Sequence, residues 1–270
     1  LVVMTSFIVA LLLPYIALVL SASSVYYVAE NVLDTNSRFL RIGTSLGKNS
    51  AYFSQESFEV LAKTPLVGGF FSTGLALSST LVKTSFVLES TLEVKSRAAA
   101  IARSALASET TDIYATQKEL ALALEDIYEN TGFILSETKG SGGIAGWLLQ
   151  KVGGEDKLQK LRGMVLAGER FAQELPWVLG AEGVERTYLL LLQNNMEIRP
   201  TGGFIGSFAL VKVKDGKLTN IDVQDVYSAD GQRKGYVEPP EPIEEYLGEA
   251  SWYLRDSNWD PDFPVSAERA

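Results

Sequence analysis

The chain opens on an apolar run with no polar face. From Leu1 to Ala29 there is no charged residue, and Val2, Val3, Ile8, Leu11, Leu12, Leu13, Ile16, Leu18, Val19 and Leu20 make every side of a helix apolar. Roughly 20 such residues cross the hydrocarbon of a bilayer, so residues 1-29 predict a transmembrane helix. Tyr26 and Tyr27 suit an interfacial aromatic belt, and Pro14 is tolerated in a membrane helix. A cleaved signal peptide, with Ser21-Ala22-Ser23 as its small-residue site, is the competing reading. The apolar stretch runs on past that site, which favours an anchor.

Residues 30-182 read as helical, interrupted by breaks at Pro65 with Gly68-Gly69, at Gly140-Ser141-Gly142-Gly143 and at Gly153-Gly154. Between the first two breaks Leu92, Ala99, Leu106, Ile113, Leu120, Ile127 and Ile134 recur every seven residues. That seam predicts one long helix, on the order of 70 Å if unbroken. The second seam position is poor, with Glu109, Thr116 and Asn130, so an antiparallel helical bundle is favoured over a free-standing parallel coiled coil. A further amphipathic helix carries Leu158, Leu161, Val165, Ala172 and Leu175 and stops near Pro176.

The pattern changes at Arg186. Tyr188-Leu189-Leu190-Leu191-Leu192 is a continuous apolar run of strand length, as expected of a strand buried on both faces. Phe204 to Lys214 is a second strand, Asp215-Gly216 a hairpin turn, and Leu218 to Val226 the return strand, where Ile221 and Val223 alternate with Asp222 and Gln224 as on a half-buried face. The expected fold is therefore mixed: a transmembrane helix over 1-29, an extracytoplasmic helical spacer or bundle over 30-182, and over 183-270 the start of an incomplete α/β domain with a β-hairpin. The absence of an initiator Met, and a helix start at Asp262 and Pro264 just before the last residue, read as a piece of a longer protein.

Composition narrows the chemistry. With 270 residues, no cysteine and no histidine, the chain offers no disulfide, thiolate, imidazole base or common zinc ligand. A net charge of -9 without any basic stripe argues against nucleic acid as a partner. No P-loop, nucleophile elbow or dinucleotide glycine motif is present.

Two runs are distinctive in wording: Tyr188 to Ser207, which contains Gln193-Asn194-Asn195-Met196-Glu197-Ile198-Arg199-Pro200-Thr201-Gly202-Gly203, and Tyr253 to Pro264, with Arg255-Asp256-Ser257-Asn258-Trp259-Asp260. Asp225-Val226-Tyr227, Asp230-Gly231 and the Pro-rich Glu238 to Pro242 segment lie between them. Together, over about Tyr188 to Ala270, they resemble the bacterial domain-of-unknown-function family numbered four thousand and twelve. That resemblance implies a single-pass cell-envelope protein and no particular reaction. A weaker resemblance in layout is to the LytR-CpsA-Psr phosphotransferases, which move a glycopolymer from a polyprenyl pyrophosphate carrier with a divalent cation. It implies Asn194 and Asn195 where those enzymes carry an Asp, Arg199 as a pyrophosphate-binding Arg, Asp222 or Asp225 near an Arg-Asp pair, and Asn258 near a downstream Asn. Amides thus replace the metal-binding carboxylate, and the Arg of the second pair has no clear counterpart.

Read from the residues alone, Asn194, Asn195 and Arg199 follow a strand end, where α/β folds gather ligands, and Gly202-Gly203 lets backbone N-H groups approach an anion. The alternative is a turn capped by the two Asn residues, with Arg199 paired to a surface acid such as Glu197. Arg255, Asp256, Asn258, Asp260 and Asp262 are either oxygen ligands for Mg or Ca or Asx turns packed among aromatics, and their spacing is not that of an EF-hand. The candidate ligand-binding set is Asn194, Asn195, Arg199, Asp222, Asp225, Arg255, Asp256 and Asn258, with no metal ligand assigned and Mg the cation the weaker resemblance implies. The partners expected are a membrane and either a lipid-linked glycopolymer or other anionic envelope ligand, or an envelope protein. A non-enzymatic scaffold or interaction module on a helical stalk is the second reading.

Overall fold

The computed structural model describes residues 2-32, 37-65, 68-107, 112-140, 154-248 and 251-270. The expected breaks at Ser141-Gly142-Gly143 and at Gly153 lie outside them. The chain divides into two compact units, Leu1–Ala102 with Thr111–Pro176, and Arg103–Thr110 with Trp177–Ala270.

The first unit is built from helices that run antiparallel to their neighbours in sequence. α1 (Val2–Asn31) and α2 (Ser37–Ala62) form the first pair, and α2 ends just before Pro65 and a short 3-10 turn at Gly68–Phe71. α1 is long and apolar enough, over Leu11–Asn31, to cross a membrane. One stripe of it is nevertheless covered: Pro14, Ala17, Ser21, Val25 and Val28 are buried. The covering stripe on α2 holds Leu40, Thr44, Gly47, Ala51, Ser54 and Phe58. Small residues let the two backbones close in. The Ser21 hydroxyl then donates to the Gly47 carbonyl at 2.8 Å and the Ser54 hydroxyl to the Pro14 carbonyl at 2.9 Å. A Cβ on Gly47 would already stand 3.3 Å from Ser24 Cβ and 3.4 Å from Val25 Cγ2. Gly47→Leu is therefore expected to force the pair apart and destabilise the first unit by about 1–3 kcal/mol, read as a lowered Tm by circular dichroism in detergent.

The seven-residue seam does not run along one helix. α3 (Ser72–Ala107) ends, and α4 (Ile113–Gly140) starts afresh behind Asp112, whose carboxylate accepts from the Ala115 N-H at 3.0 Å as an N-cap does. The capping acid divides the expected 70 Å rod. Leu92 before the break and Ile113, Leu120, Ile127 and Ile134 after it are buried, whereas Leu106 is 79% exposed. α4 then folds back along α3: Lys83 lies over Phe133, the Ser90 hydroxyl meets Asp126 and Arg97 pairs with Glu119 at 2.9 Å. Seven residues separate successive contacts on both helices. α5 (Gly154–Val178) returns along α4, with Gln117 donating to the Gln173 carbonyl and the Arg162 guanidinium stacked 3.6 Å from the Tyr128 ring centroid. The favoured antiparallel arrangement is thus the one formed.

The second unit carries a three-stranded antiparallel sheet in the order β1-β2-β3: β1 (Arg186–Asn194), β2 (Phe204–Lys214) and β3 (Lys217–Asp225). The Asp215-Gly216 turn has positive φ at both residues, 47° and 74°, as a tight type I′ hairpin requires. Short helices α6 (Val226–Gln232), α7 (Glu241–Leu247) and α8 (Phe263–Arg269) and a 3-10 segment at Leu254–Trp259 follow. Two expectations fail here. β1 is an edge strand with Leu189, Leu190 and Leu192 exposed, because among the described residues no strand pairs beyond it. Ile221 and Val223 of β3 are exposed as well. Burial belongs to the central strand, through Ile205, Phe208 and Ala209, joined by Val226 and Ile243 among the buried residues of the unit.

Candidate functional site

The site grows from the irregular end of β1. Its pairing with β2 shifts register between Leu192 and Gln193, and this bulge turns the Gln193 side chain toward the loop that follows. Gln193 Oε1 accepts from the Gly203 N-H at 3.1 Å and Gln193 Nε2 donates to Thr201 Oγ1 at 3.3 Å. The loop is closed further by the Phe204 N-H on the Glu197 carbonyl and the Gly202 N-H on the Arg199 carbonyl, both at 3.0 Å. Gly203 is demanded by close approach, since a Cβ there would lie 2.2 Å from the Asn194 carbonyl oxygen. The Gly203 carbonyl accepts from Asn258 Nδ2 at 2.7 Å, which ties the loop to the distant 3-10 segment.

Arg199 points back from this loop onto the same segment. Its Nη2 stands 3.4 Å from Asp256 Oδ1, and its guanidinium lies 5.5 Å from the Phe204 ring centroid. Asp256 is 4% exposed and also faces Arg255, with Nε to Oδ2 at 3.4 Å. Arg255 Nη1 continues to Asp230 Oδ2 at 3.2 Å, and Asp230 Oδ1 accepts from the Leu254 N-H at 2.8 Å. The Arg255 guanidinium is 4.2 Å from the Tyr253 ring and 5.6 Å from the Tyr227 ring. Arg233 approaches Tyr253 at 4.9 Å and donates to the Trp252 carbonyl and the Ser251 hydroxyl. Ions this dry persist only when paired and hydrogen-bonded, which explains the chain Arg199-Asp256-Arg255-Asp230. Ser257 Oγ, Asn258 Oδ1 and Arg199 Nε are buried with no hydrogen-bond partner in the structure.

Four of the eight candidate residues therefore meet: Arg199, Arg255, Asp256 and Asn258. The others do not join them. Asn194 forms an Asx turn, accepting from the Met196 N-H at 3.1 Å, and donates to Glu197 at 3.2 Å; Asn195 is exposed beside it. Asp222 takes a 2.6 Å hydrogen bond from Gln224 on exposed β3, and Asp225 caps α6 through the Tyr227 N-H at 2.8 Å. Asp260 likewise serves an Asx turn, accepting from the Asp262 N-H at 2.9 Å. Among the described residues no three acidic side chains converge as a cation site. Asp230, Arg233 and Gln193 are participants that local spacing does not reveal, because the partners of Asp230 and Arg233 come only from the far end of the unit.

The second unit thus combines a small antiparallel sheet with a glycine loop and a buried Arg-Asp chain. Residues 184–270 match the family model described as "Protein of unknown function (DUF4012)", which places the resemblance over the unit that holds this network. No curated protein and no solved structure matches the chain.

Proposed function

We propose that the second unit is the ligand-recognition part of a membrane-attached bacterial cell-envelope protein, and that it binds an anionic group such as the pyrophosphate of a polyprenyl-linked glycopolymer. The observation that carries this reading is the Arg199 guanidinium at the edge of a buried ionic network, in which Arg199 and Arg255 both face Asp256 and Arg255 also reaches Asp230. The Arg199 side chain is 22% exposed, against 15% for Arg255, and its contact to Asp256 is at the long end for an ion pair. A planar guanidinium of this kind suits a bidentate phosphate contact, and Asp256 holds it in place. The similarity of layout to LytR-CpsA-Psr enzymes supports the choice of ligand, with Mg as the accompanying cation. α1 supplies the membrane attachment, and the bulk of the chain lies outside the cytoplasm.

The test is thermal melting of the full-length protein in detergent, with polyprenyl pyrophosphate or inorganic pyrophosphate, each with and without Mg. Ligand is expected to raise the Tm of the wild type, while Arg199→Ala, compared with its own melting without ligand, loses most of that rise. An identical melting curve with and without ligand refutes the reading. It would leave the second one, a non-enzymatic interaction module, which is supported by the way Arg255, Asp230 and Asp256 engage one another.

A further inference from the structure

Side chains on α2 divide into three stripes. The buried one, from Leu40 through Gly47 to Phe58, is described above. A second, with Phe39, Ile42, Leu46, Phe53 and Val60, is apolar and exposed. The third is polar and exposed, with Arg38, Arg41, Glu56 and Glu59, and Asn49 lies on its border with the apolar stripe, one turn from Leu46 and Phe53. The neighbours of α2 fix which way each faces. Gly43, on the margin of the apolar stripe, abuts Val28 and Tyr27 of α1, whereas Lys48, on the margin of the polar stripe, pairs with Glu89 of α3 at 2.6 Å. The apolar stripe of α2 therefore adjoins α1, whose own exposed side carries Leu12, Ile16, Val19 and Leu20. The two helices share one continuous apolar face.

This arrangement conflicts with α1 standing upright in a bilayer while the pair stays packed. Ser21 lies against Gly47 and Pro14 against Ser54, so α2 accompanies α1 through the depth that a crossing would occupy. Lys48, Asn49, Glu56 and Glu59 would then enter hydrocarbon, where each charge costs at least about 2.5–3.5 kcal/mol. Rotated by a quarter turn, the same hairpin has no such cost. The shared apolar face meets lipid, the Arg38-Arg41-Glu56-Glu59 side meets water, and Tyr26 and Tyr27 come to the interface, as in helices that lie in the membrane plane.

We propose that α1 and α2 attach to the membrane together, as a hairpin lying in the bilayer surface with Ile16 of α1 and Leu46 and Phe53 of α2 at similar shallow depth. This rests on the membrane location proposed above and names the element and posture that achieve it. Lipid is the occupant because no charge interrupts α1 from Val9 to Ala29 and its exposed apolar face continues onto Phe39, Ile42, Leu46, Phe53 and Val60 of α2, a sheet of apolar surface two helices wide bordered by the charged side of α2.

The chain has no cysteine, so single cysteines can be placed without background. Full-length Ile16→Cys, Leu46→Cys, Phe53→Cys and Glu59→Cys, each labelled with an environment-sensitive fluorophore, are reconstituted into phosphatidylcholine-phosphatidylglycerol vesicles. The first three positions belong to the exposed apolar face and Glu59 to the polar one, and circular dichroism checks that the helices persist. The expected result is loss of most emission at positions 16, 46 and 53 with lipids nitroxide-labelled near the headgroup, and quenching by aqueous iodide only at position 59. Iodide quenching at 46 and 53, with position 16 reached only by deep-labelled lipid, overturns the proposal in favour of α1 crossing alone. Shielding of 46 and 53 from both quenchers overturns it in favour of a second copy covering the face. Failure of the unlabelled protein to float with the vesicles refutes membrane attachment itself, a different outcome from either.

Discussion

Asp256→Ala should destabilise the second unit by about 3–5 kcal/mol, the usual penalty for leaving a buried charge without its partner. Asp256 sits between Arg199 and Arg255 with a side chain 5% exposed, so its removal takes away at once the carboxylate that both guanidiniums face in a site nearly closed to water. The loss extends beyond one ion pair. Arg255 anchors Asp230 on α6, and Arg199 belongs to the loop that Asn258 clamps through the Gly203 carbonyl. Urea unfolding followed by tryptophan fluorescence reads this unit, because Trp177, Trp252 and Trp259 lie in it. A shift of the midpoint worth less than about 0.5 kcal/mol, the range of ordinary surface substitutions, would show that the Arg-Asp chain does not hold the unit together.

Phe58→Ala is the counterpart in the first unit, with an expected loss of about 3–5 kcal/mol. The Phe58 ring is fully buried, meets Tyr15 of α1 edge-on at 4.8 Å and lies 6.4 Å from Phe71. Gly74 of α3 leaves it room, since a Cβ there would come within 2.6 Å of the ring. Three helical segments thus converge on one side chain. Hydrogen exchange of the α1 and α2 amides in detergent is the suitable measurement, because the two units need not unfold together. Faster exchange confined to α1, α2 and the start of α3 is expected; unchanged exchange would mean that α1 does not rest on α2 in solution.

Much of the fold could be read from the residues. β2 begins and ends at Phe204 and Lys214 as its apolar content indicates, and the Asp215-Gly216 pair specifies its hairpin through local backbone preference. Helices were legible from periodicity, but their length was not. The seam from Leu92 to Ile134 continues in phase across the break, so a heptad count alone sees one rod where Asp112 makes two helices. The apolar run of β1 signalled a buried strand because hydrophobicity reports preference, whereas exposure depends on whether another strand lies alongside. At the site, Arg199, Arg255, Asp256 and Asn258 were recognisable as polar residues concentrated at irregular turns. Asp230 is legible only in the Asp230-Gly231 wording and not as a member of this cluster, because its partners Leu254 and Arg255 lie more than twenty residues along the chain. Asn194, Asp222 and Asp225 lie apart from that network, in an Asx turn, on an exposed strand face and at a helix cap, places that use the same side chains as ligand sites.

The exposed edge of β1 bears on how the protein can be handled. Its outer backbone N-H and C=O groups have no strand beside them among the described residues, and Leu189, Leu190 and Leu192 stand exposed along it. An unpaired, leucine-rich edge invites the same edge of another molecule to dock by backbone hydrogen bonding. Self-association through this edge is the expected behaviour of the second unit at high concentration, and a lysine at Leu190 is the smallest change that would blunt it.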